Sequence, residues 1–249
     1  MTDLFAIDRA VTEAWPARER DALNGWALNA DSGLTGRPNA VAPLAWTGSD
    51  LDADIASAED WLRERALTPQ FRITENACAP VQLPEALAAR GYTRSMPTLV
   101  MTRPLAAIDS DEAVRLRGAP GAAFDAVMTA AAAHPEDTHE RRGIIARAPD
   151  PKVFAEATQD AALAAIGMCV VTGDLAGVFA MRTAPDARRR GLARRILRTL
   201  LSWAREQGAA TAYLQVEEDN PSAVALYESE GFVTQGRYWY WKAPSPAAS

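Results

Sequence analysis

Apolar positions recur at helical spacing most clearly between residues 191 and 207, where Leu192, Ile196, Leu197, Leu200, Leu201, Trp203 and Ala204 fall on one face and Gly208 supplies a stop. That spacing predicts a helix. Two β-like runs precede it, Ala165–Val171 and Leu175–Met181, and the intervening Thr172-Gly173-Asp174 reads as a hairpin turn. Downstream, Ala212–Glu217 reads as a strand, and Asn220-Pro221-Ser222 opens a helix carrying Val224, Leu226 and Tyr227 that Gly231 closes. Phe232 to Trp241 supplies final strands. Upstream, residues 122–133 read as a helix from their alanine content and the placing of Phe124, Val127 and Met128, with Pro135 ending the run. The polar, Arg- and Pro-rich stretch from His134 to Lys152 reads as a loop with a short helix. Strand, helix, strand, helix, strand in this order is an α/β unit, so the predicted class is a mixed sheet with flanking helices.

Domain organisation follows from a second feature of the pattern. The strand-like Thr98-Leu99-Val100-Met101 gives way to Arg103–Ser110 before a new alternating segment, Ala113–Leu116, which puts a boundary near 107–111. Two domains are expected, 1–108 and 109–243, with 244–249 as a loose tail. A chain of 249 residues, 48% hydrophobic and 23% charged, is long enough for two such cores.

Charge narrows the function. The formal net charge of −6 argues against a protein that coats nucleic acid by bulk electrostatics. Residues 1–109 hold 10 Lys/Arg against 15 Asp/Glu, and residues 110–249 hold 16 against 17. All the cations but Lys152 and Lys242 are arginines, and six arginines crowd between Arg188 and Arg198. Cys78 and Cys169 form no CxxC pair, which suits a reduced, cytoplasmic compartment. His134 and His139 lack a third ligand nearby, so no metal is expected. No basic leader precedes an apolar core at Met1-Thr2-Asp3-Leu4, and no apolar stretch reaches the ~18 residues of a membrane span.

Arg188-Arg189-Arg190-Gly191-Leu192-Ala193 stands where a strand ends and the long helix begins. Cations at a helix N-terminus oppose the macrodipole, by roughly 0.3–1 kcal/mol each at an exposed site. An anionic ligand offsets this, because free backbone N–H groups, dipole and guanidinium groups all favour phosphate oxygens at one place. Gly191 removes a Cβ from the path of such a ligand. A solvated basic turn screened by salt is the plain alternative on this hexapeptide alone.

The ordered set Arg188-x-x-Gly191-x-Ala193, Leu214-x-Val216 and Asn220-x-x-Ala223-x-x-Leu226-Tyr227-x-x-x-Gly231-Phe232 resembles the GNAT superfamily of acyl-CoA-dependent N-acetyltransferases. The likeness is strong over residues 165–242 and covers 111–164 by general layout. It implies acetyl-CoA in a V between two splayed parallel strands, Leu175–Thr183 and Ala212–Glu217. It also implies pyrophosphate on the turn from Arg188 to Ala193 and Arg194, and pantetheine paired with backbone at Met181, Arg182 and Thr183. Asn220 matches a cofactor-contacting asparagine and also suits an N-cap. Tyr227 matches the tyrosine that protonates the departing thiolate. A lysine-like amine of pKa ~10.4 is almost wholly protonated at pH 7, so a base or a water chain should assist. Some relatives place a glutamate where this chain has Gln215. Glu217, two residues on and on the same strand face, is the candidate here, with Glu218 behind it; a solvated carboxylate at the strand end is the alternative reading of Glu217.

The first half carries a faint copy of the second. At an offset of 142, Asn39–Thr74 falls on Met181–Val216, matching Ala42-Pro43-x-Ala45 with Ala184-Pro185-x-Ala187 and Trp61-x-Arg63-Glu64 with Trp203-x-Arg205-Glu206. Ile55 falls on Leu197 and Phe71 on Tyr213; with two residues fewer, Gly91-Tyr92 meets Gly231-Phe232. Opposite the arginine turn lie Trp46-Thr47-Gly48-Ser49-Asp50-Leu51, then Asp52 and Asp54, and Leu87 stands opposite Tyr227. Carboxylates repel pyrophosphate, so the first copy is expected to bind no CoA and to shape the acceptor pocket. Gly33–Pro38 is a loop that could enter that pocket or serve as a plain connection. Acetyl transfer to a small-molecule or peptide amine is thus the expected activity, in a tandem GNAT fold without metal, nucleic-acid or membrane partners. An acyl-CoA-binding regulatory protein without turnover is the alternative. Acceptor identity and oligomeric state do not follow from the sequence.

Overall fold

The structure, a computed structural model, describes residues 3–105, 110–131 and 134–244. Residues 1–2, 106–109, 132–133 and 245–249 lie outside it, and with them most of the expected boundary, the end of the helix placed at 122–133, and nearly all of the expected tail. From the N-terminus the chain forms α1 (Leu4–Ala14), the strands β1 (Glu19–Leu23) and β2 (Trp26–Ala30), α2 (Leu51–Arg63), β3 (Gln70–Thr74), α3 (Leu83–Ala89) and β4 (Thr93–Pro104). Next come β5 (Val114–Arg117), α4 (Ala122–Ala130), α5 (Thr138–Arg147) and the strands β6 (Lys152–Gln159), β7 (Ala162–Thr172) and β8 (Leu175–Thr183). The chain continues with α6 (Leu192–Glu206), β9 (Thr211–Glu217), α7 (Pro221–Ser229) and β10 (Val233–Lys242). The architecture is mixed α/β, with parallel and antiparallel strands flanked by helices.

These elements group into two compact units. The first holds Met1–Val100, Gln215–Pro221 and Thr234–Ser249, and the second Met101–Leu214 and Ser222–Val233, so β4, β9, α7 and β10 each contribute to both.

In the first unit β3 pairs antiparallel with β10, from Gln70 opposite Lys242 to Thr74 opposite Tyr238. Its core is aromatic at the centre: Phe71 meets Trp26 and Tyr92 edge-on, with ring centroids 5.6 and 5.9 Å apart. Ile55, Leu62, Leu83 and Leu87 close around them. Such edge-to-face contacts add to burial because a ring's positive rim meets its neighbour's negative face. β1 and β2 form a separate hairpin turning at Asn24 and Gly25, both at positive φ, as a two-residue turn requires. An ion pair is buried here: Arg72 lies 3.4 Å from Asp8, whose carboxylate also accepts from the Thr74 hydroxyl. Burial raises the Asp8 pKa even against the pull of Arg72.

In the second unit β5, β6, β7 and β8 form an antiparallel run, and β9 joins β8 in parallel. The expected hairpin of β7 and β8 is present, turning at Gly173 and Asp174. The segment from His134 to Lys152 holds the short helix expected there, the ten-residue α5, which buries Ile144 and Ile145. One reading of the pattern is corrected: Phe232 to Trp241 supplies one strand rather than several. β6 is an element the pattern did not reveal. Phe124 of α4 packs edge-on against Phe154 of β6, 5.5 Å between centroids, while Ile196, Leu197, Leu200 and Leu201 of α6 are fully buried.

The order helix, strand, helix, strand occurs twice, as α2-β3-α3-β4 and as α6-β9-α7-β10, at spacings close to the sequence offset. Ile55 and Leu197 are both fully buried, as are Phe71 and Tyr213, and Gly91 and Gly231 both take positive φ.

Candidate active site

β8 and β9 run parallel for three pairs only, Leu175 with Thr211, Ala176 with Ala212 and Gly177 with Tyr213. Both strands continue, to Thr183 and Glu217, without further pairing to each other. The cause lies on the other side of β8. Against β7 the register shifts by one residue between Ile166 and Met168, so β8 carries an extra residue there, and Ala180 within the bulge takes φ 51°. A bulge bends its strand and raises local twist. Gly167 permits it: a Cβ at that position would stand 2.6 Å from the Met181 sulfur and 2.7 Å from an Ile196 methyl. Met181, Arg182 and Thr183, expected from the resemblance to present backbone to pantetheine, lie half-buried on β8 beyond its last pair with β9.

The chain then turns through Arg188, Arg189 and Arg190, all exposed, into α6. Arg189 and Gly191 both take positive φ, and Gly191 is the N-cap residue at φ 78°. The first helical bond is Arg195 N–H to the Gly191 carbonyl, so the N–H groups of Leu192, Ala193 and Arg194 precede the ladder, and no side chain caps them. Space is open where a Gly191 Cβ would stand. Uncapped donors, an open approach and exposed guanidinium groups form a fitting seat for a polyphosphate.

The six arginines divide sharply. Arg188 donates to the Thr183 carbonyl at 3.5 Å, and Arg190 donates to the Gln159 side chain once that amide presents its oxygen. Arg194 and Arg198 instead both reach Glu230, each 2.8 Å from its carboxylate, and Arg194 also donates to the Ser229 hydroxyl. Arg195 binds Asp111 at 2.6 Å and holds that carboxyl below the usual range. For Arg194, then, the backbone N–H rather than the guanidinium faces the turn's donor set. Glu230 is buried with its side chain only 3% exposed and its own carbonyl accepts from Arg103. Its two partners are half in water and can resolvate, so Glu230→Ala should destabilise by about 2 kcal/mol, the loss of charge-assisted bonds without stranding a buried cation. Urea unfolding checks this, with a shift in midpoint at unchanged slope.

Tyr227, on α7, is 8% exposed and packs 6.0 Å from Phe232 between ring centroids. Burial pushes its phenol up to about 12, against the lowering field of Arg182. Asn220 directly precedes Pro221, the first residue of α7, in the position of an N-cap; its own N–H donates to the Glu217 carbonyl. Glu217 ends β9 exposed to water, and Glu218 is tied to Arg237 at 2.6 Å. Gln215 accepts from Arg37 at 3.0 Å. Sequence reasoning singled out the Gly33–Pro38 loop but not Arg37 within it, nor Glu230 or Gln159; these contacts have no local signal. Both thiols are pushed up by burial, Cys78 to about 12 and Cys169 further. Among the described residues no cluster of three His, Cys, Asp or Glu could hold a metal, and no helix is long and apolar enough to cross a membrane.

The equivalent helix entrance in the first copy is built differently. The Asp50 carboxylate accepts from the Ala53 N–H at 3.0 Å and caps α2. Asp54 accepts from Trp46 Nε1 and Asn24 Nδ2, both at 2.8 Å. A carboxylate from within the chain thus already occupies this helix entrance, and Leu87 is plain core.

Splayed parallel strands ahead of an uncapped, arginine-flanked helix match the layout that the resemblance implies, and a solved GCN5-related N-acetyltransferase from Kribbella flavida shares the fold with a TM-score of 0.74 at 14% identity, over 99% of this chain and 97% of that one. The chain belongs to the family described as probable histone acetyltransferase Rv0428c C-terminal, whose model matches residues 2–241. Among its relatives, the uncharacterized N-acetyltransferase YobR of Bacillus subtilis (strain 168) is 27% identical across 96% of this chain and 98% of its own length. The [ribosomal protein bS18]-alanine N-acetyltransferase of Escherichia coli (strain K12) is 40% identical over 75 residues, 30% of this chain and 51% of that protein.

Proposed function

We propose that the chain moves an acetyl group from acetyl-CoA to a primary amine by direct attack in a ternary complex. The observation that carries this reading is the separation of β8 from β9 after Gly177 and Tyr213, ahead of the uncapped N-terminus of α6. When bound, acetyl-CoA supplies an activated acetyl thioester, whose C–S bond breaks as the amide C–N bond forms. The N–H groups of Leu192, Ala193 and Arg194 with the side chains of Arg188, Arg189 and Arg190 hold the pyrophosphate. Backbone groups of Met181, Arg182 and Thr183 extend the strand ladder to the pantetheine amides, and Asn220 contacts the cofactor while opening α7. Tyr227 gives its phenolic proton to the leaving sulfur. Glu217 takes the proton that the amine loses. Both cysteines keep their protons at neutral pH, which supports attack by the amine itself rather than an acyl-cysteine. The first copy binds no CoA, because Asp50 fills its helix entrance.

Release of CoA thiol in the presence of a panel of amines, with the acetylated product identified by mass, tests the proposal. Amine-dependent release is the expected result. Tight acetyl-CoA binding with no release across the panel would instead establish a binding protein without turnover, a reading favoured by the amide at Gln215 where some relatives carry a glutamate.

A further inference from the structure

Gln215 is held in one orientation. A guanidinium only donates, so the 3.0 Å contact from Arg37 Nη1 fixes Gln215 Oε1 toward Arg37 and turns Nε2 away. Nε2 is buried and makes no hydrogen bond within the protein. Arg37 is itself well anchored. Its guanidinium lies 5.3 Å from the centroid of the Trp15 ring, and it opens the short 3-10 turn Arg37–Asn39, which buries Pro38 and Asn39. The preceding Gly36 packs so tightly on Tyr240 that a Cβ there would stand 2.5 Å from the phenolic oxygen. A buried donor left without an acceptor is costly, and the contact with the anchored Arg37 keeps this amide from turning over.

Its place on β9 says which residue shares its face. Gln215 and Glu217 are two residues apart and so lie on one face of the strand, about 6.6 Å apart along it at ~3.3 Å per residue. A glutamate at 215 would pair with Arg37, accept only, and hold its proton poorly; an amide in the same contact keeps a donor to offer. Resting on the acetyl-transfer reading above, with Glu217 beside the amine, we propose that Gln215 is a specificity-determining residue. Its Nε2 donates to a carbonyl or carboxylate oxygen on the carbon next to the acceptor's amine-bearing carbon. The acceptor class is then an α-amino carbonyl compound, such as an amino acid or a peptide amino terminus, and not a simple alkylamine or polyamine.

Glycinamide and isobutylamine, nearly the same in shape, are the probes. Replacing Gln215→Leu should lower kcat/KM for glycinamide by about tenfold or more, mainly through KM, and leave isobutylamine within about twofold, because only the first loses a partner for its oxygen. Each amine is compared with itself, so their different basicities cancel. Equal losses on both amines, or no loss on either, would overturn the assignment. A second readout needs no turnover: in the wild-type complex with CoA, the Gln215 side-chain amide resonance should move on adding glycinamide and stay still with isobutylamine. Equal movement with both, or none, counts against the proposal. If neither amine is acetylated while the resonance responds to glycinamide alone, the acetyl-transfer reading fails and the donor assignment stands.

Discussion

Tyr227→Phe should lower kcat by about a hundredfold or more while leaving the affinity for acetyl-CoA within about twofold. The ring's contact with Phe232 survives the change, so only the hydroxyl is lost. An ordinary thiol near 8.5 facing a phenol at about 12 implies an uphill proton transfer of about 3.5 units, near 5 kcal/mol. Burial acts on both partners, however. The Cys78 thiol of this same chain is pushed up to about 12 by its surroundings, level with Tyr227, so a leaving thiolate sheltered alike would be protonated at little cost. A phenol raised this far stays protonated at every working pH. Wild-type kcat should therefore show no falling limb from Tyr227 below pH 10, and its rise with pH should follow the acceptor amine. Stopped assays from pH 6 to 10 check both points. Unchanged turnover in the Phe variant would remove Tyr227 from the chemistry.

Replacing Arg188, Arg189 and Arg190 together by Ala should raise KM for acetyl-CoA by about ten- to a hundredfold with a smaller effect on kcat, since their part is binding rather than bond-making. The wild-type KM should climb with ionic strength, and the variant's should be flatter. Folding stability should move the other way, staying level or rising slightly, because three cations leave a helix N-terminus that repels them. That opposition of sign separates a binding role from a structural one. A KM that does not change would reduce the turn to a solvated basic surface.

The legible parts of the molecule are those where local chemistry and tertiary packing agree. α6 could be read because its buried face repeats at helical spacing, and the turn at Gly173 because glycine belongs there. The entrance of α6 could be placed because Gly191 stands where the apolar stripe begins and takes the positive φ that suits glycine. β6 escaped because its turn into β7 uses Asp160 and Ala161, both at positive φ with no glycine to announce it. β1 was missed for the opposite reason. Asn24-Gly25 marks its hairpin plainly, but four of its five residues are exposed, so the strand has no alternating pattern. α5 could be expected within its polar stretch but not bounded there, because its buried Thr138, Glu140, Ile144 and Ile145 make no regular stripe. Arg37 and Gln215 are 178 residues apart, a contact only the assembled fold can reveal.

The gap between β8 and β9 depends on a count of residues. Substitutions along the bulge that respect Gly167 and the positive φ of Ala180 leave the extra residue in place, and the aperture with it. Removing one residue there would return β8 to even register with β7 and turn every later side chain of the strand to the opposite face. Length at this point, more than composition, therefore sets the separation of the two strands.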